Sequence, residues 1–493
     1  MKYIENEIKR THLAPKKHTW SSPLGEKYSF VIPSTVYPPR EDTDLLANTI
    51  LNFGPGSGKK LLEIGSGTGL ISIFAKSLGW DVIGCDINPL AIATSRGLAK
   101  KYNFAELKFI EGGIEPNSEV TSKIFENGPF DMILWNLPYL EKPNKNELLG
   151  PLEDASLSNI GNQKLHEILL KKIELESGLS REGVVILIHS DKGPGRKLSS
   201  ECRNLGWACK SINQKILEDG EKLHATLIWK PWCFIEKIEL DEVESTNTYL
   251  LESNLSTGTL VTTKNQSKGR GQRKNNWIHF KGGWCGSWLI DLENSNPQII
   301  QAKAALAIIE SIAAINGDEL PTFDYFSMAK FLENNISIKW PNDILLEDKK
   351  IAGILCEAKT TGTKTKCVIG IGCNLRDETG MIESKLPNTT SLENFKLISN
   401  EEWTRVLHAS IASKFEKQNG IHVNEDSKII NYWWLSMENF NKTHFITIDS
   451  KKYQIKGLLA DGGINLISTD NNLNSERKCD VSYNLKWEKI LFN

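Results

Sequence analysis

The sequence predicts a multidomain chain of α/β and α+β architecture, and three observations predict it. At 493 residues the chain is long enough for two to four domains, each with its own core. Over residues 60–86 a buried strand, a glycine-rich turn, an apolar helix and a second strand ending on an acid follow one another. That is the βαβ unit of a parallel nucleotide-binding sheet. Beyond residue 230 the pattern turns to hairpins, and it finishes on short alternating strands that suit a small barrel.

Composition narrows the classes. With 40% hydrophobic and 24% charged residues the chain has the make-up of an ordinary soluble protein. A net charge of −2 argues against a mainly electrostatic nucleic-acid or membrane partner. The nine cysteines, at 85, 202, 209, 233, 285, 356, 367, 373 and 479, form no Cys-x-x-Cys pair. Neither a zinc site nor a disulfide framework is expected, and reduced thiols in a cytoplasmic protein fit best. The start of the chain has no apolar run, so no signal peptide is expected. The apolar run 184–188 is far too short to span a bilayer.

The elements follow in order. Residues 1–34 are polar and read as an N-terminal extension. Val36-Tyr37-Pro38-Pro39-Arg40-Glu41-Asp42-Thr43 is a turn leading into an amphipathic helix over 44–52. Lys60–Ile64 reads as a buried strand, followed by Gly65-Ser66-Gly67-Thr68-Gly69 and an apolar helix over 70–78. A strand over 81–85 ends on Asp86, and Asn88 caps a helix that has Pro89 at its first position. A strand over 130–135 ends in Asn136-Leu137-Pro138-Tyr139. A helix over 163–175, a strand over 183–189 and a strand pair around Trp207 and 223–229 complete the sheet. His166, His189 and His224 lack partner spacing and read as structural.

Dinucleotide sites use Gly-x-Gly-x-x-Gly, with pyrophosphate on the helix N-terminus. Here an acid opens the loop, Glu63-x-Gly65-x-Gly67-x-Gly69. A Rossmann-like sheet with another ligand could use the same glycine-rich turn. The pattern resembles the first motif of S-adenosylmethionine-dependent methyltransferases, in which Asp86 would accept the ribose hydroxyls. The resemblance implies a Rossmann-like, seven-stranded domain over 35–231, with Thr43, Glu63, Gly65, Gly67, Gly69 and Asp86 on S-adenosylmethionine. Asn136-Leu137-Pro138-Tyr139 resembles the Asn-Pro-Pro-Tyr motif of amide and amine methyltransferases, so Asn136, Pro138 and Tyr139 would hold the methyl acceptor. With the 37–43 turn, the resemblance is to the HemK type, which methylates glutamine in release factors and often works with a small zinc-binding activator subunit. There are two departures. Leu137 replaces a proline, which is expected to loosen the backbone under Asn136. Glu111-Gly112-Gly113 stands where an adenine-side aspartate is usual, leaving that contact to Ile114 and backbone. A domain of this shape with reduced activity is compatible with both.

In the second half, a strand over 336–338 runs into Lys339-Trp340-Pro341-Asn342-Asp343, then a short apolar strand, a charged tip and a strand over 351–355. Such a hairpin can bring Lys339 and Lys350 to one end of a sheet, where two cations suit phosphate or carboxylate. A surface hairpin with solvated lysines would look the same from spacing alone. Upstream lie Ser245-Thr246-Asn247, at a helix start, and Gln266-Ser267-Lys268-Gly269-Arg270-Gly271-Gln272, ending in Trp277. Downstream lies Gly370-Ile371-Gly372-Cys373-Asn374. A strand over 235–240 is expected to open this half. Strands over 259–263 and 286–290 and helices over 301–316 and 401–417 follow. Strands over 444–448, 453–458 and 464–468 surround an Asp461-Gly462-Gly463 turn.

In this order the stretches resemble biotin protein ligases. The resemblance implies an α+β catalytic domain over 232–438 and an SH3-like β-barrel over 439–493. It implies biotin--[acetyl-CoA-carboxylase] ligase activity: ATP and Mg²⁺ turn biotin into biotinyl-adenylate, which passes to a lysine of a biotin carboxyl carrier protein of an acyl-CoA carboxylase. Lys350 and Arg270 would meet the reacting anions. Ser245, Thr246, Asn247 and Gln266 would line the biotin pocket. Trp277, Lys339, Asn342 and Asn374 would border the nucleotide, with Gly269, Gly271, Gln272 and Gly353 completing the loop and hairpin. Gln272 stands where the family often has a second arginine that retains the adenylate, so looser retention is expected. The loop over 268–276 is expected to be mobile until ligand orders it. A lipoate ligase-like protein, or a biotin sensor whose inactive first domain is a docking module, remain as alternatives. No helix-turn-helix or basic patch points to DNA.

Overall fold

The structure, a computed structural model, describes residues 14–116, 118–138, 159–160, 163–272, 275–291, 297–362, 364–418, 426–469, 476–479 and 485–490. The chain divides into two compact units. One is Met1–Cys233 with Lys417–Val423, the other Phe234–Glu416 with Asn424–Asn493.

Unit 1 opens with a hairpin of β1 (Lys16–Ser21) and β2 (Lys27–Ile32). Residues 16–32, within the stretch read as a polar extension, are thus a folded hairpin. Trp20, Tyr28, Phe30 and Ile32 are buried at alternating positions. The Trp20 indole donates to Asp44 Oδ1 at 2.8 Å, fastening the hairpin to α1 (Glu41–Asn52). Then come β3 (Lys60–Ile64), α2 (Leu70–Ser77), β4 (Asp81–Asp86), α3 (Pro89–Lys101), β5 (Lys108–Glu111) and β6 (Phe130–Asn136). α4 (Leu165–Leu175), β7 (Leu179–Ser190), β8 (Ala208–Ile216) and β9 (Lys222–Trp229) follow. The seven strands lie in the order β8-β9-β7-β6-β3-β4-β5. β3 pairs in parallel with both β4 and β6, so the order reverses between β3 and β6. Ligand crevices of such sheets open at that switch point, beyond the carboxyl ends of the strands. Gly65, Asp86 and Asn136 all sit there. As expected, Asn88 caps α3, its side chain accepting from the Leu90 amide at 2.9 Å.

The three histidines are buried or paired. His189 and His224 stack with ring centroids 5.5 Å apart, and burial holds His189 at about 3, neutral at pH 7. His166 pairs with Glu201 at 2.9 Å. Ligand atoms of His166, Glu167 and Glu201 lie within 4.8 Å of one another, but the Lys164 ammonium already pairs with Glu201.

Unit 2 is built on a second seven-stranded sheet. Its elements are β10 (Lys237–Val243), α5 (Thr246–Glu252), β11 (Leu260–Gln266), β12 (Trp284–Ile290), α6 (Pro297–Asn316), β13 (Ile336–Lys339), β14 (Asp343–Leu346), β15 (Lys349–Thr361), β16 (Lys364–Cys373) and α7 (Asn400–Phe415). The strand order is β10-β11-β12-β16-β15-β14-β13. α6 holds an 18-residue stretch apolar enough to cross a membrane, longer than the sequence reading allowed, but 89% of that stretch is buried as the core helix of this unit. β15 runs six residues past the strand expected at 351–355 because it stays paired with β16 as far as Thr361. The Glu347-Asp348 tip between β14 and β15 has φ of 51° and 64°, the left-handed pair of a tight hairpin. β17 (His444–Ile448), β18 (Lys451–Leu458), β19 (Ile464–Ser468), β20 (Glu476–Cys479) and β21 (Lys486–Lys489) form a five-stranded antiparallel sheet in the order β20-β19-β18-β17-β21. It belongs to the same unit, with Trp340 donating to Gly462 O at 3.2 Å and Lys489 pairing with Asp348 at 2.9 Å.

Candidate active sites

In unit 2 a cavity of about 250 Å³ opens between α5, the glycine-arginine loop and the β14–β15 hairpin. Its polar wall begins at the start of α5, where Ser245 caps the helix by accepting from Thr248 N. Thr246 and Asn247 are thereby turned inward, both more than nine-tenths buried. Thr246 donates from its amide and its hydroxyl to Gln266 Oε1, at 3.0 and 3.2 Å. Asn247 Nδ2 donates to Leu355 O (3.2 Å) and Glu357 Oε2 (2.8 Å), while its Oδ1 accepts from Ser287 at 2.6 Å. A Cβ at Gly370 would sit 2.1 Å from Asn247 Oδ1, so only glycine lets β16 pass beneath that carboxamide. Cys285 also lines the cavity; burial pushes its thiol up to about 12, so it is a neutral surface.

The loop closes the cavity from above. Trp277 N donates to Gly269 O and Gly271 N to Asn275 O, at 2.9 and 2.7 Å, joining the two sides of the loop. Arg270 Nη2 reaches Glu357 Oε2 at 2.9 Å, tying the loop to β15. The Trp277 ring lies flat over the sheet, where a Cβ at Gly372 would meet it at 2.3 Å. The Lys350 ammonium stands 5.5 Å from that ring's centre and 2.6 Å from Asp343 Oδ1. Lys339 lies beside them. Its burial holds its pKa below the usual lysine value; Asp343 opposes that shift and Lys350 adds to it. Asn342 Nδ2 donates to Ile354 O at 2.8 Å, locking the turn onto the hairpin. Leu485 and Trp487, from the C-terminal sheet, complete the wall.

In unit 1, Gly65, Gly67 and Gly69 have φ of 68°, 52° and 78°, which an L side chain adopts only with strain. The turn they make lets Gly67 N donate to Asp86 Oδ2 at 2.8 Å, and Asn88 N donates to Oδ1 at 2.8 Å. Burial raises Asp86 above the usual carboxylate range. Glu63, beneath the turn, is buried and bonded to Ser72 Oγ; burial pushes it up to about 8. At the end of β6, Asn136 Nδ2 donates to Asp42 Oδ2 at 2.9 Å, and the Tyr37 hydroxyl donates to the same oxygen at 3.1 Å. Thr43 N donates to Asp42 Oδ1 at 2.7 Å. A carboxylate only accepts, so Asp42 fixes which way the Asn136 amide faces. Asn136 Oδ1 is left buried, with no hydrogen-bond partner among the described residues.

Residues 55–246 match a methyltransferase domain family model. A putative protein N5-glutamine methyltransferase of Methanocaldococcus jannaschii is 33% identical over 199 residues, which is 40% of this chain and 92% of that protein. The chain belongs to the protein N5-glutamine methyltransferase family. Residues 240–374 match the model of the Biotin/lipoate A/B protein ligase family, so a ligase-family domain is fused behind the methyltransferase domain. The biotin--[acetyl-CoA-carboxylase] ligase of Paracoccus denitrificans is 33% identical over 139 residues, 28% of this chain and 53% of that protein. The chain spans about half the length of the curated biotin ligases it matches: 41%, 59% and 53% of the first three. A biotin protein ligase from Aquifex aeolicus, solved with biotin and ATP, aligns over 52% of this chain and 99% of its own at 22% identity and a TM-score of 0.41.

In the ligase domain the cavity brings together Ser245, Thr246, Asn247, Gln266, Arg270, Gly271, Gln272, Trp277, Lys339, Asn342, Lys350 and Gly353. Two expected residues stand outside its lining. At Gly269 the two sides of the loop pass closely, and a Cβ would meet Trp277 O at 2.4 Å. Asn374 is buried and donates to Thr390 O at 3.3 Å, which ties the sheet to the 388–390 segment that also bonds the Lys350 backbone. Sequence reading passed over Asp343, Glu357 and Ser287. Asp343 lay inside a quoted motif, and Glu357 is separated from Lys350 by a β-bulge after Lys350, so strand alternation counted from the sequence does not place it beside Arg270 and Asn247.

In the methyltransferase domain Asp42 was passed over, though it also lay inside a quoted motif. Tyr139 lies outside the described residues. Leu137 does not loosen the backbone as expected: its amide donates to Ile188 O at 3.0 Å, a bond a proline could not make. Ile114 is core, 2% exposed. The apolar side chains beside Gly112 and Gly113 are Val120 and Ile87, which Cβ atoms there would meet at 2.2 and 2.6 Å.

Proposed function

We propose that the ligase domain joins biotin to ATP and passes it to a lysine of a biotin carboxyl carrier protein. A biotin carboxylate oxygen bonds to the α-phosphorus as the bond to pyrophosphate breaks. The acceptor lysine's amine then bonds to the acyl carbon and AMP leaves. Two anions must meet, so fixed cations lower the barrier most. The observation that carries the reading is that Arg270, Lys339 and Lys350 line one cavity together with the neutral, polar Ser245, Thr246, Asn247 and Gln266. Both N–H groups of Asn247 are spent within the protein, so its Oδ1 offers a second lone pair to a ureido N–H. Trp277 supplies the apolar face. Asp343 is the one carboxylate among the described lining residues and fits as a protein ligand for Mg²⁺, which favours one or two carboxylates together with substrate phosphates. In this reading the C-terminal sheet is the SH3-like barrel, and the protein works in the cytoplasm.

The methyltransferase domain, in the same reading, transfers the methyl group of S-adenosylmethionine to a glutamine side-chain nitrogen, with a release factor as substrate. Asn136 Oδ1 accepts the target N–H, and Asp42 holds it in that orientation. Positioning supplies most of the rate. Isothermal titration of the whole chain with S-adenosylmethionine tests this half, with no heat as the refuting result. Transfer of labelled biotin to a carrier domain tests the other, with loss of labelling expected in Lys350→Ala. Labelling that persists in that variant would refute the assignment.

A further inference from the structure

We infer that Glu357 is a positioning residue that couples the neutral wall of the ligase cavity to its phosphate-side cation. The inference rests on the ligase reading. One oxygen, Glu357 Oε2, accepts from Asn247 Nδ2 at 2.8 Å and from Arg270 Nη2 at 2.9 Å. The three side chains come from separate elements: α5, the glycine-arginine loop and β15. Glu357 is not among the residues lining the cavity, whereas Asn247 and Arg270 both are. It therefore acts through them.

The geometry sets two orientations at once. A carboxylate cannot donate, so it turns the Asn247 carboxamide with Nδ2 outward and Oδ1 toward Ser287 and the cavity. It also holds one edge of the Arg270 guanidinium. The remaining N–H groups of that planar fork then have a fixed direction in which to meet an anion. The ion pair itself is worth little, because the Arg270 side chain is 43% exposed. Its value lies in direction. A ligand that draws Arg270 toward the cavity shifts the oxygen that also aligns Asn247, so occupancy of either half changes affinity in the other, reciprocally. Glutamine at this position keeps one acceptor oxygen but loses the negative charge that strengthens both bonds and holds the guanidinium.

The test is a double-mutant cycle on the whole chain. Biotin affinity is measured by calorimetry for the wild type, Arg270→Ala, Glu357→Gln and the double variant, each with and without saturating α,β-methylene-ATP. Melting curves confirm folding, and Glu357→Asp, which keeps the charge but shortens the reach, serves as the second variant. Glu357→Gln is expected to weaken biotin ~10-fold, the scale of one hydrogen bond to a charged group. It is also expected to abolish the gain from the nucleotide analogue and to make Arg270→Ala nearly silent in the double variant. Glu357→Asp should fall between. Additive losses, or a nucleotide gain that survives in Glu357→Gln, overturn the coupling while leaving the ligase reading intact. A wild type that takes no biotin overturns both.

Discussion

Gly370→Ala is the sharpest structural prediction. The added Cβ would lie 2.1 Å from Asn247 Oδ1, against an ordinary contact of 3.4 Å or more, so the carboxamide must retreat by about 1 Å. That atom belongs to a side chain held by Ser287 at 2.6 Å, Glu357 at 2.8 Å and Leu355 O at 3.2 Å. A shift of that size breaks most of these bonds. At ~1 kcal/mol for each neutral bond and somewhat more for the charged one, the cost is about 3 kcal/mol. That cost falls on folding, with a drop in melting temperature of roughly 6–12 °C, while biotin loses the one bond from the displaced carboxamide, ~10-fold in affinity. Calorimetry with biotin and a thermal melt read both. Gly457→Ala is the control, because a Cβ there meets nothing within 4 Å. Biotin affinity within a few-fold of wild type in Gly370→Ala would show that Asn247 does not face the vitamin.

Three further outcomes are expected. Gln272→Arg should slow escape of the adenylate in quenched-flow experiments, since the Gln272 side chain donates to Gln301 at 3.3 Å and carries no charge; equal release rates would remove the idea. Asp42→Asn should lower methyl transfer ~10-fold or more while leaving S-adenosylmethionine affinity nearly unchanged, because it frees the Asn136 amide to turn; unchanged transfer would show that Asp42 does not orient it. Glu63 is raised by burial to about 8 in the fold, above its ordinary value of 4.5, so the folded chain holds a proton that the unfolded chain has lost. Stability from this group is complete below the lower value and declines as pH rises through the higher one. The wild type should therefore melt at lower temperature at pH 8 than at pH 6, and Glu63→Gln should show a smaller drop. Equal slopes would refute the buried, protonated carboxyl.

What the sequence made legible was mostly punctuation. Glycines at 65, 67 and 69 can hold their backbone angles because they lack a Cβ, and that constraint is written in the residue itself. The same holds for Gly353, Gly370 and Gly372, where a ring or a carboxamide crosses the strand. Paired charges were harder to read. Lys350 and Arg270 stood out as cations, but their partners Asp343 and Glu357 are ordinary acids until the hairpin and the β15–β16 pairing place them. The first hairpin was missed although Tyr28, Phe30 and Ile32 alternate, since the polar residues between them masked a short two-stranded signal. Asn374 follows the glycines in order, but its side chain is taken up by Thr390 O and is not among the cavity's lining residues.

Biotin-dependent exchange of labelled pyrophosphate into ATP isolates the step in which the two anions react, without any acceptor protein. Exchange that requires biotin, and that falls by at least ~100-fold in Lys350→Ala and in Arg270→Ala, is the expected result. Exchange that ignores biotin, or that survives both substitutions, would contradict the convergence of these cations on a single reacting pair.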